Sequence, residues 1–136
     1  MSRVLISDDL SSKAVDVFRT RGIDVDLCPG ISAKELVSQM GKYHGLAVRS
    51  STKVTSQLLA AGKELRVVGR AGTGVDNIDV SAATERGIVV MNTPYGNSTT
   101  TAEHAIALLM ALARKIPQAD RSTQEGNWDK SRFIGV

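Results

Sequence analysis

Short apolar runs alternate along the chain with segments that carry apolar residues at helical spacing. The runs are Val4–Ser7, Val25–Cys28, Gly45–Val48, Arg66–Arg70 and Ile88–Asn92. They are apolar throughout rather than alternating, which is typical of parallel strands covered on both faces. The β-α-β-α order therefore predicts an α/β fold with a flavodoxin-like, doubly wound, parallel five-stranded sheet.

The segments between the runs contain helix start and stop signals. Ser32 precedes Glu35 at capping-box spacing, and Asp79 stands directly before a predicted helix over Val80–Glu85. Gly22 and Gly87 follow helical patterns, where glycine often ends a helix in the left-handed conformation. These signals support the alternation read from the apolar runs.

The pattern changes after Asn92. An irregular Pro- and Gly-containing segment leads into an Ala- and Leu-rich helix predicted over Thr99–Lys115, followed by a polar helix and loop over 117–129. The long helix is apolar on more than one side, so it requires burial on several faces. We therefore predict two parts, residues 1–96 and 97–136. We expect the second to open a further domain that is missing here, so that the chain is truncated.

Composition excludes several classes of function. The chain of 136 residues has 17 Lys and Arg against 14 Asp and Glu, and its basic residues are scattered without aromatic neighbours. This distribution does not favour nucleic-acid binding. Cys28 is the only cysteine, so an internal disulfide or a cysteine-based zinc site is impossible. The apolar stretch Ala105–Ala113 is too short to span a membrane, and the N-terminus does not resemble a signal peptide. We predict a cytoplasmic location.

A glycine-rich turn follows the fourth predicted strand, within Val67–Asp79. Gly72 and Gly74 favour positive φ angles, close approach of a ligand and exposed backbone N–H groups, which is typical of an anion site. A dinucleotide fingerprint is excluded because Asn77 occupies the position of its third glycine. No acidic residue for a ribose follows about 20 residues later. The turn therefore predicts a site for a small anion rather than for a pyrophosphate.

Two arginines stand at the ends of neighbouring predicted strands. Arg49, followed by Ser50, comes directly after the third strand, and Arg70 ends the fourth. Guanidinium groups bind carboxylates and phosphates through two parallel hydrogen bonds. We expect both side chains to face one crevice at the carboxyl edge of the sheet, where open α/β sheets bind ligands.

The other candidate residues do not indicate a catalytic reaction. Asp8 and Asp9 resemble the acidic pair of response-regulator receivers, but no acid ends the third strand, so we interpret them as a helix N-cap and turn. His44 and His104 lack a partner arranged for acid–base chemistry and are interpreted as structural. There is no spacing of metal ligands and no nucleophile elbow.

Several motifs in order carry a family resemblance. Arg49-Ser-Ser-Thr52, the glycine turn over Val68–Asp79, Met91–Ser98 and Ala102-Glu-His104 together resemble D-isomer-specific 2-hydroxyacid dehydrogenases. The resemblance implies a substrate-binding lobe over 1–96. It also implies that 97–136 holds a hinge, the long helix and the start of a Rossmann nucleotide-binding lobe. The Gly-x-Gly-x-x-Gly loop and the catalytic arginine, glutamate and histidine of the family would lie beyond Val136.

The resemblance also implies roles for residues of the first part. Backbone N–H groups around Thr73 and Gly74 would bind the substrate carboxylate. Arg49 and Arg70 would contact a phosphate at the other end of the substrate, with Ser50 in the same site. Thr73 would also touch the cofactor, NAD.

The resemblance also implies roles for residues of the second part. Asn97 would donate a hydrogen bond near the reacting carbon, and Lys130 would reach the phosphate site of a neighbouring subunit. Residues 99–136 would form the interface of a homodimer or larger homo-oligomer.

The implied activity is hydride transfer between nicotinamide and a phosphorylated D-2-hydroxy acid, with this chain alone inactive. Two alternatives remain open. One is a non-catalytic dimerisation or binding module of the corepressor-like branch. The other is a dehydrogenase for another 2-hydroxy acid, such as hydroxypyruvate or glyoxylate. The choice between NAD and NADP is open as well.

Overall fold

The structure, a computed structural model, describes residues 1–136, and its contacts divide them into two compact units, Met1–Gly96 and Asn97–Val136. The first unit contains the strands β1 Arg3–Ile6, β2 Asp24–Leu27, β3 Gly45–Val48, β4 Val67–Arg70 and β5 Val89–Met91. Its α-helices are α1 Ser12–Thr20, α2 Ala33–Gln39, α3 Ser56–Ala61 and α4 Val80–Glu85. The second unit contains α5 Ser98–Ala113 and α6 Ile116–Gln124.

The five strands form one parallel sheet in the order β2-β1-β3-β4-β5. This confirms the predicted fold class, and each predicted strand end lies within one residue of the observed one. Right-handed crossovers place α1 on one face of the sheet and α2, α3 and α4 on the other, because the chain moves in opposite directions from β1. The three helices on the same face form a row, in which α2 packs on α3 and α3 packs on α4.

The core lies between the central strands and the row formed by α2, α3 and α4. The strand residues Leu5, Leu46 and Val68 are almost completely buried against helix residues that include Leu58 and Leu59. The edge strand β5 differs, since Val89 and Met91 are each 58% exposed. The expectation of cover on both faces is therefore wrong for β5. An apolar run does not reveal whether its strand lies at the centre or the edge of the sheet.

The predicted helix caps are confirmed. Ser32 and Glu35 form both bonds of the capping box, and the Asp79 carboxylate accepts a hydrogen bond from Ala82 N–H at 3.0 Å. Gly22 and Gly87 adopt φ angles of 69° and 67° directly after their helices.

The second unit consists of α5, α6 and a short 3₁₀ helix, Lys130–Phe133. Its C-terminal end folds back on the long helix, where Val136 N–H donates to Ala113 C=O at 3.1 Å. No residue of α5 is buried. Neither this helix nor any other combines the length and hydropathy required to cross a membrane.

Candidate functional site

The glycine turn begins where β4 ends, and Arg70 folds back over it. Arg70 Nη1 donates to Gly74 C=O at 2.6 Å, and Nη2 lies 3.6 Å from the Asp76 carboxylate. A Cβ added to Gly72 would lie 2.7 Å from Nη1, and one added to Gly74 would lie 2.9 Å from Asp76 Oδ1. The two glycines therefore make room for side chains of their own turn.

This geometry corrects the predicted reason for the glycines. Positive φ angles occur at other glycines of the chain but at neither Gly72 nor Gly74. The expected row of exposed N–H groups is also shorter than predicted, because Ala71 N–H donates to Val48 C=O and Gly72 N–H donates to Arg70 C=O. The Arg70 guanidinium packs against Gly72 and the Asp76 carboxylate against Gly74, so a larger residue at either position would have to displace the end of that side chain.

The Arg70 side chain is only 11% exposed. Its Nε is buried and has no hydrogen-bond partner. A buried donor without a partner is costly. Nε and Nη2 form the side-on fork of a guanidinium, which matches the two oxygens of a carboxylate or phosphate. Nε is therefore unpaired, and Nη2 has only the long contact to the exposed Asp76 carboxylate.

Arg49 and Ser50 follow β3, which pairs with β4 in a register that sets Val48 beside Arg70. The backbones of the two arginines are therefore brought together as predicted. Their side chains are not, because Arg49 Nη1 contacts Asp9 C=O at 3.4 Å while Arg70 contacts its own turn. The two guanidinium groups therefore have different partners here, and their role at one substrate site remains a prediction. The adjacent loops after β1 and β4 offer each group its own acceptors.

The interpretation of Asp8 as part of a helix N-cap and turn is wrong. The helix cap is Ser11. Asp8 is 4% exposed, and its carboxylate accepts hydrogen bonds from Arg49 N–H at 2.6 Å, Thr52 N–H at 3.2 Å and Thr52 Oγ1 at 2.6 Å. The buried carboxylate thus holds the loop that carries Arg49 and Ser50.

The pKa of Asp8 reflects these contacts. Burial raises it, but the hydrogen bond from the Thr52 hydroxyl and those from the backbone N–H groups of the same loop outweigh burial. The net result is a pKa below the usual value of an aspartic acid. Asp8 is therefore a charged carboxylate at neutral pH.

Asn77 holds the same loop from its other side. Its Nδ2 donates to Arg49 C=O and to Thr52 C=O, both at 2.7 Å. The backbone adds to this connection, since Val54 N–H donates to Asn77 C=O and Asp79 N–H donates to Val54 C=O. One amide side chain thus ties the loop after β3 to the glycine turn after β4.

In the sequence, Asn77 is notable only as the residue in place of a third glycine, and no pattern gives Asp8 a part in the site. We call these two side chains the loop clamp. The sequence signal that could have revealed the clamp is an acidic residue directly after one strand, together with a loop rich in Ser and Thr after another strand. That signal has meaning only once the strand order is known, because β1 and β3 are neighbours in space but not in sequence.

Thr73 lies exposed at the tip of the glycine turn. Asn92 Nδ2 donates to Thr73 C=O at 2.7 Å, and Thr93 N–H donates to Gly72 C=O at 3.0 Å. The segment after β5 therefore supports the turn. The roles implied for Thr73 and Gly74, with the carboxylate and the cofactor, remain predictions.

Asn97 and Lys130 belong to the second unit. Asn97 precedes α5, and its carbonyl accepts Thr101 N–H at 2.9 Å. The Lys130 ammonium lies 5.6 Å from the centre of the Trp128 ring, within the range of a cation–π contact. Their implied roles near the reacting carbon and in a neighbouring subunit also remain predictions.

Comparison with known proteins identifies the family. The model of the family described as D-isomer specific 2-hydroxyacid dehydrogenase, catalytic domain, matches residues 4–128. The chain belongs to this family. The match covers the sheet except for the first residue of β1, and it also covers the glycine turn and α5, so it confirms the resemblance carried by the motifs.

Individual relatives agree. A D-3-phosphoglycerate dehydrogenase of Archaeoglobus fulgidus is 52% identical over 134 residues, which cover 98% of this chain and 25% of the relative. The structure of an NAD⁺-bound 3-phosphoglycerate dehydrogenase of Entamoeba histolytica matches with a TM-score of 0.71 at 29% identity, over 84% of this chain and 40% of that one. A crystal structure of a Pyrococcus horikoshii protein matches with a TM-score of 0.85 at 30% identity, over 96% and 39%.

The coverage limits what these similarities describe. The chain spans about a quarter of the length of the curated relatives it matches. The fold and the family therefore apply to this chain directly, whereas the activity of a whole relative does not.

Proposed function

We propose that this chain is the substrate-binding part of an NAD-dependent dehydrogenase. The enzyme would transfer a hydride between nicotinamide and C2 of 3-phospho-D-glycerate, the first step of serine biosynthesis. The observation that carries the proposal is Arg70, whose guanidinium is buried in the glycine turn with an unpaired Nε. The similarity to D-3-phosphoglycerate dehydrogenases supports the choice of substrate.

The substrate would complete the Arg70 fork. An anion that displaces Asp76 gains hydrogen bonds from both Nη2 and Nε, and the exposed Asp76 carboxylate returns to water. Charge-assisted pairs of this geometry are among the strongest hydrogen bonds in proteins. The exchange favours binding because one donor of the unliganded fork is unpaired.

The remaining roles follow the family pattern and are part of the proposal. N–H groups around Thr73 and Gly74 bind the carboxylate, Arg49 and Ser50 contact the phosphate end, and Asn97 donates near C2. Lys130 extends toward the phosphate site of a neighbouring subunit. In this scheme the chain orients the substrate and neutralises its charge, which lowers the barrier by fixing the reacting geometry.

The glycine turn does not fit the pyrophosphate of NAD. The space beside Gly72 is taken by the Arg70 guanidinium, which is also held on Gly74 C=O. The third glycine position holds Asn77, whose amide is committed to the loop after β3. We therefore assign NAD binding to the part of the family's length that this chain does not span, with Thr73 as the one cofactor contact proposed here. We place the protein in the cytoplasm, where the free thiol of Cys28 would stay reduced.

Titration of the ¹⁵N-labelled chain with 3-phospho-D-glycerate tests the proposal. We expect amide shifts in Arg49–Thr52 and Arg70–Asn77 that saturate in the millimolar range, because this chain holds only part of the proposed substrate site. D-glycerate, which lacks the phosphate, is the matched control and should bind more weakly. Absence of shifts in both loops would refute the assignment, and equal binding of hydroxypyruvate or glyoxylate would favour the alternative substrates.

A second candidate function is supported by α5. Ile106, Leu108, Leu109 and Leu112 are between 57% and 76% exposed. Contiguous apolar surface of this kind marks interaction sites. We propose that residues 99–136 mediate association with a second copy of the chain. A non-catalytic dimerisation module would show this association without binding 3-phospho-D-glycerate.

The association is tested by light scattering. We expect the chain to elute at twice its monomer mass and Leu109→Glu to elute as a monomer, because a carboxylate in a buried apolar interface is strongly unfavourable. Leu27→Glu, a change at a partly exposed leucine of β2 in the first unit, is the matched control and should remain dimeric. A monomeric wild-type chain at high concentration would contradict the assignment of α5 as an interface.

A further inference from the structure

A cavity of about 860 Å³ opens beyond the carboxyl ends of β1, β2 and β3, between α2 and α3. Its volume is within the range of pockets that hold small organic ligands. None of the residues proposed above to bind substrate or cofactor lines it. Its apolar floor is formed by Ile31, Leu36, Val37 and Leu58.

The strand order explains why a cavity forms at this place. From β1 the chain crosses to β2 in one direction, and from β2 onward it crosses back over β1 to β3 and then to β4. The connections after β1 and β3 therefore diverge to opposite faces of the sheet, and the cavity opens on the α2 and α3 side of the contacts that Asp8 makes with the loop after β3. Open α/β sheets bind ligands at this switch point, and in the order 2-1-3-4-5 it lies between β1 and β3. The glycine turn follows β4, one strand away.

The charges at the cavity rim indicate the kind of ligand. Lys34 on α2 and Lys53 in the β3–α3 connection line the cavity, and both are exposed. Asp8 and Asp9 also line it. The Asp8 carboxylate is already occupied by three hydrogen bonds, and the guanidinium of Arg49 contacts the carbonyl of Asp9.

The two lysines and the two aspartates that line the rim balance in formal charge. The Asp8 carboxylate is held by its hydrogen bonds, whereas neither ammonium group has an ion-pair partner, so both are available to an anionic ligand. The hydroxyl group of Ser51 adds hydrogen-bonding capacity. An apolar floor with a few convergent polar groups is the usual composition of a small-molecule site.

We propose that this cavity is a second binding site, separate from the proposed substrate site. Its ligand is a small organic carboxylate with an apolar body. The carboxylate lies at Lys34 and Lys53, and the body lies on the apolar floor.

The test uses 2-naphthoate as the probe and its neutral amide, 2-naphthamide, as the charge control. Both are titrated into the ¹⁵N-labelled 136-residue chain. We expect naphthoate to shift the amides of residues 29–37 and 51–58 and naphthamide to bind several-fold more weakly. Shifts confined to residues 98–113, or equal binding of the two probes, would overturn the proposal.

Variants locate the site independently of the proposed function. Lys34→Gln with Lys53→Gln should weaken naphthoate binding about fivefold, since exposed charge pairs contribute modestly. Lys13→Gln with Lys63→Gln, which removes the same charge outside the cavity, should not. Ala33→Trp, at an exposed residue of the lining, should weaken naphthoate binding, because the indole obstructs part of the cavity. Arg70→Gln should leave naphthoate binding unchanged, so failure of the substrate proposal is distinguishable from failure of this one. Unaltered binding in the double lysine variant and in Ala33→Trp would refute the site.

Discussion

Replacing Asp8 with alanine is expected to lower the free energy of unfolding by about 3 kcal/mol. The substitution removes the acceptor of three hydrogen bonds and leaves the N–H groups of Arg49 and Thr52 without their partner. Unsatisfied buried donors cost more than the lost bond alone. Denaturant unfolding measures the loss, and amide exchange should accelerate first in Arg49–Thr52. Asp8→Asn keeps the shape and should lose less.

The matched control is Asp9→Ala, which removes the neighbouring, exposed carboxylate and should change stability by less than about 0.5 kcal/mol. Acid provides a second check. The folded pKa of Asp8 is lowered, so its stabilising contribution is present above the usual aspartic acid pKa of about 3.9 and is lost as pH falls through the folded value. The difference between wild type and Asp8→Ala should therefore shrink as pH falls below 4. An undiminished difference under those conditions would show that the carboxylate charge is not the cause.

Arg70→Gln is expected to weaken 3-phospho-D-glycerate binding about 30-fold. Glutamine cannot present the side-on fork of Nε and Nη2 or carry the charge that pairs with an anion. The fork is also confined by the turn, with Nη1 fixed on Gly74 C=O at 2.6 Å, so little side-chain entropy remains to be lost on binding. Calorimetry or the NMR titration measures the change in affinity.

Arg66→Gln is the matched control, because Arg66 is exposed and precedes the opposite end of the same strand. The overall charge is lowered equally, so any general electrostatic effect appears in both variants. We expect Arg66→Gln to bind within twofold of wild type. Equal weakening by the two substitutions would mean that Arg70 acts through long-range charge and makes no direct contact with the substrate.

Helix caps and strand positions were predictable because they depend on neighbours in sequence. The Ser32–Glu35 box spans three residues, and Asp79 caps a helix that starts at the next residue. The loop clamp was not predictable in the same way. Asp8 and Thr52 are 44 residues apart, and Asn77 lies 25 residues beyond Thr52. Only the adjacency of β1, β3 and β4 in the sheet brings them together.

Within the glycine turn, too, some features were predictable from the sequence and others depended on the fold. Its sequence excluded a dinucleotide loop and indicated a small anion, since that inference needs only spacing and residue type. The sequence assigned the glycines to backbone conformation, whereas in the fold neither has a positive φ angle, and Gly72 lies against the Arg70 guanidinium. It also suggested that Arg49 and Arg70 act together, and the tertiary contacts direct them to different loops.

The sequence by itself determined the α/β class, the five strands, the helix caps and the family, because hydrophobic period, capping chemistry and motif order are local properties. The tertiary structure decided which side chains share a loop, which carboxylate is buried and charged, and where a cavity opens. Those outcomes depend on the order β2-β1-β3-β4-β5, which sets distant segments side by side. Hydrogen bonds and burial act through space, so their partners are fixed only when the sheet is assembled.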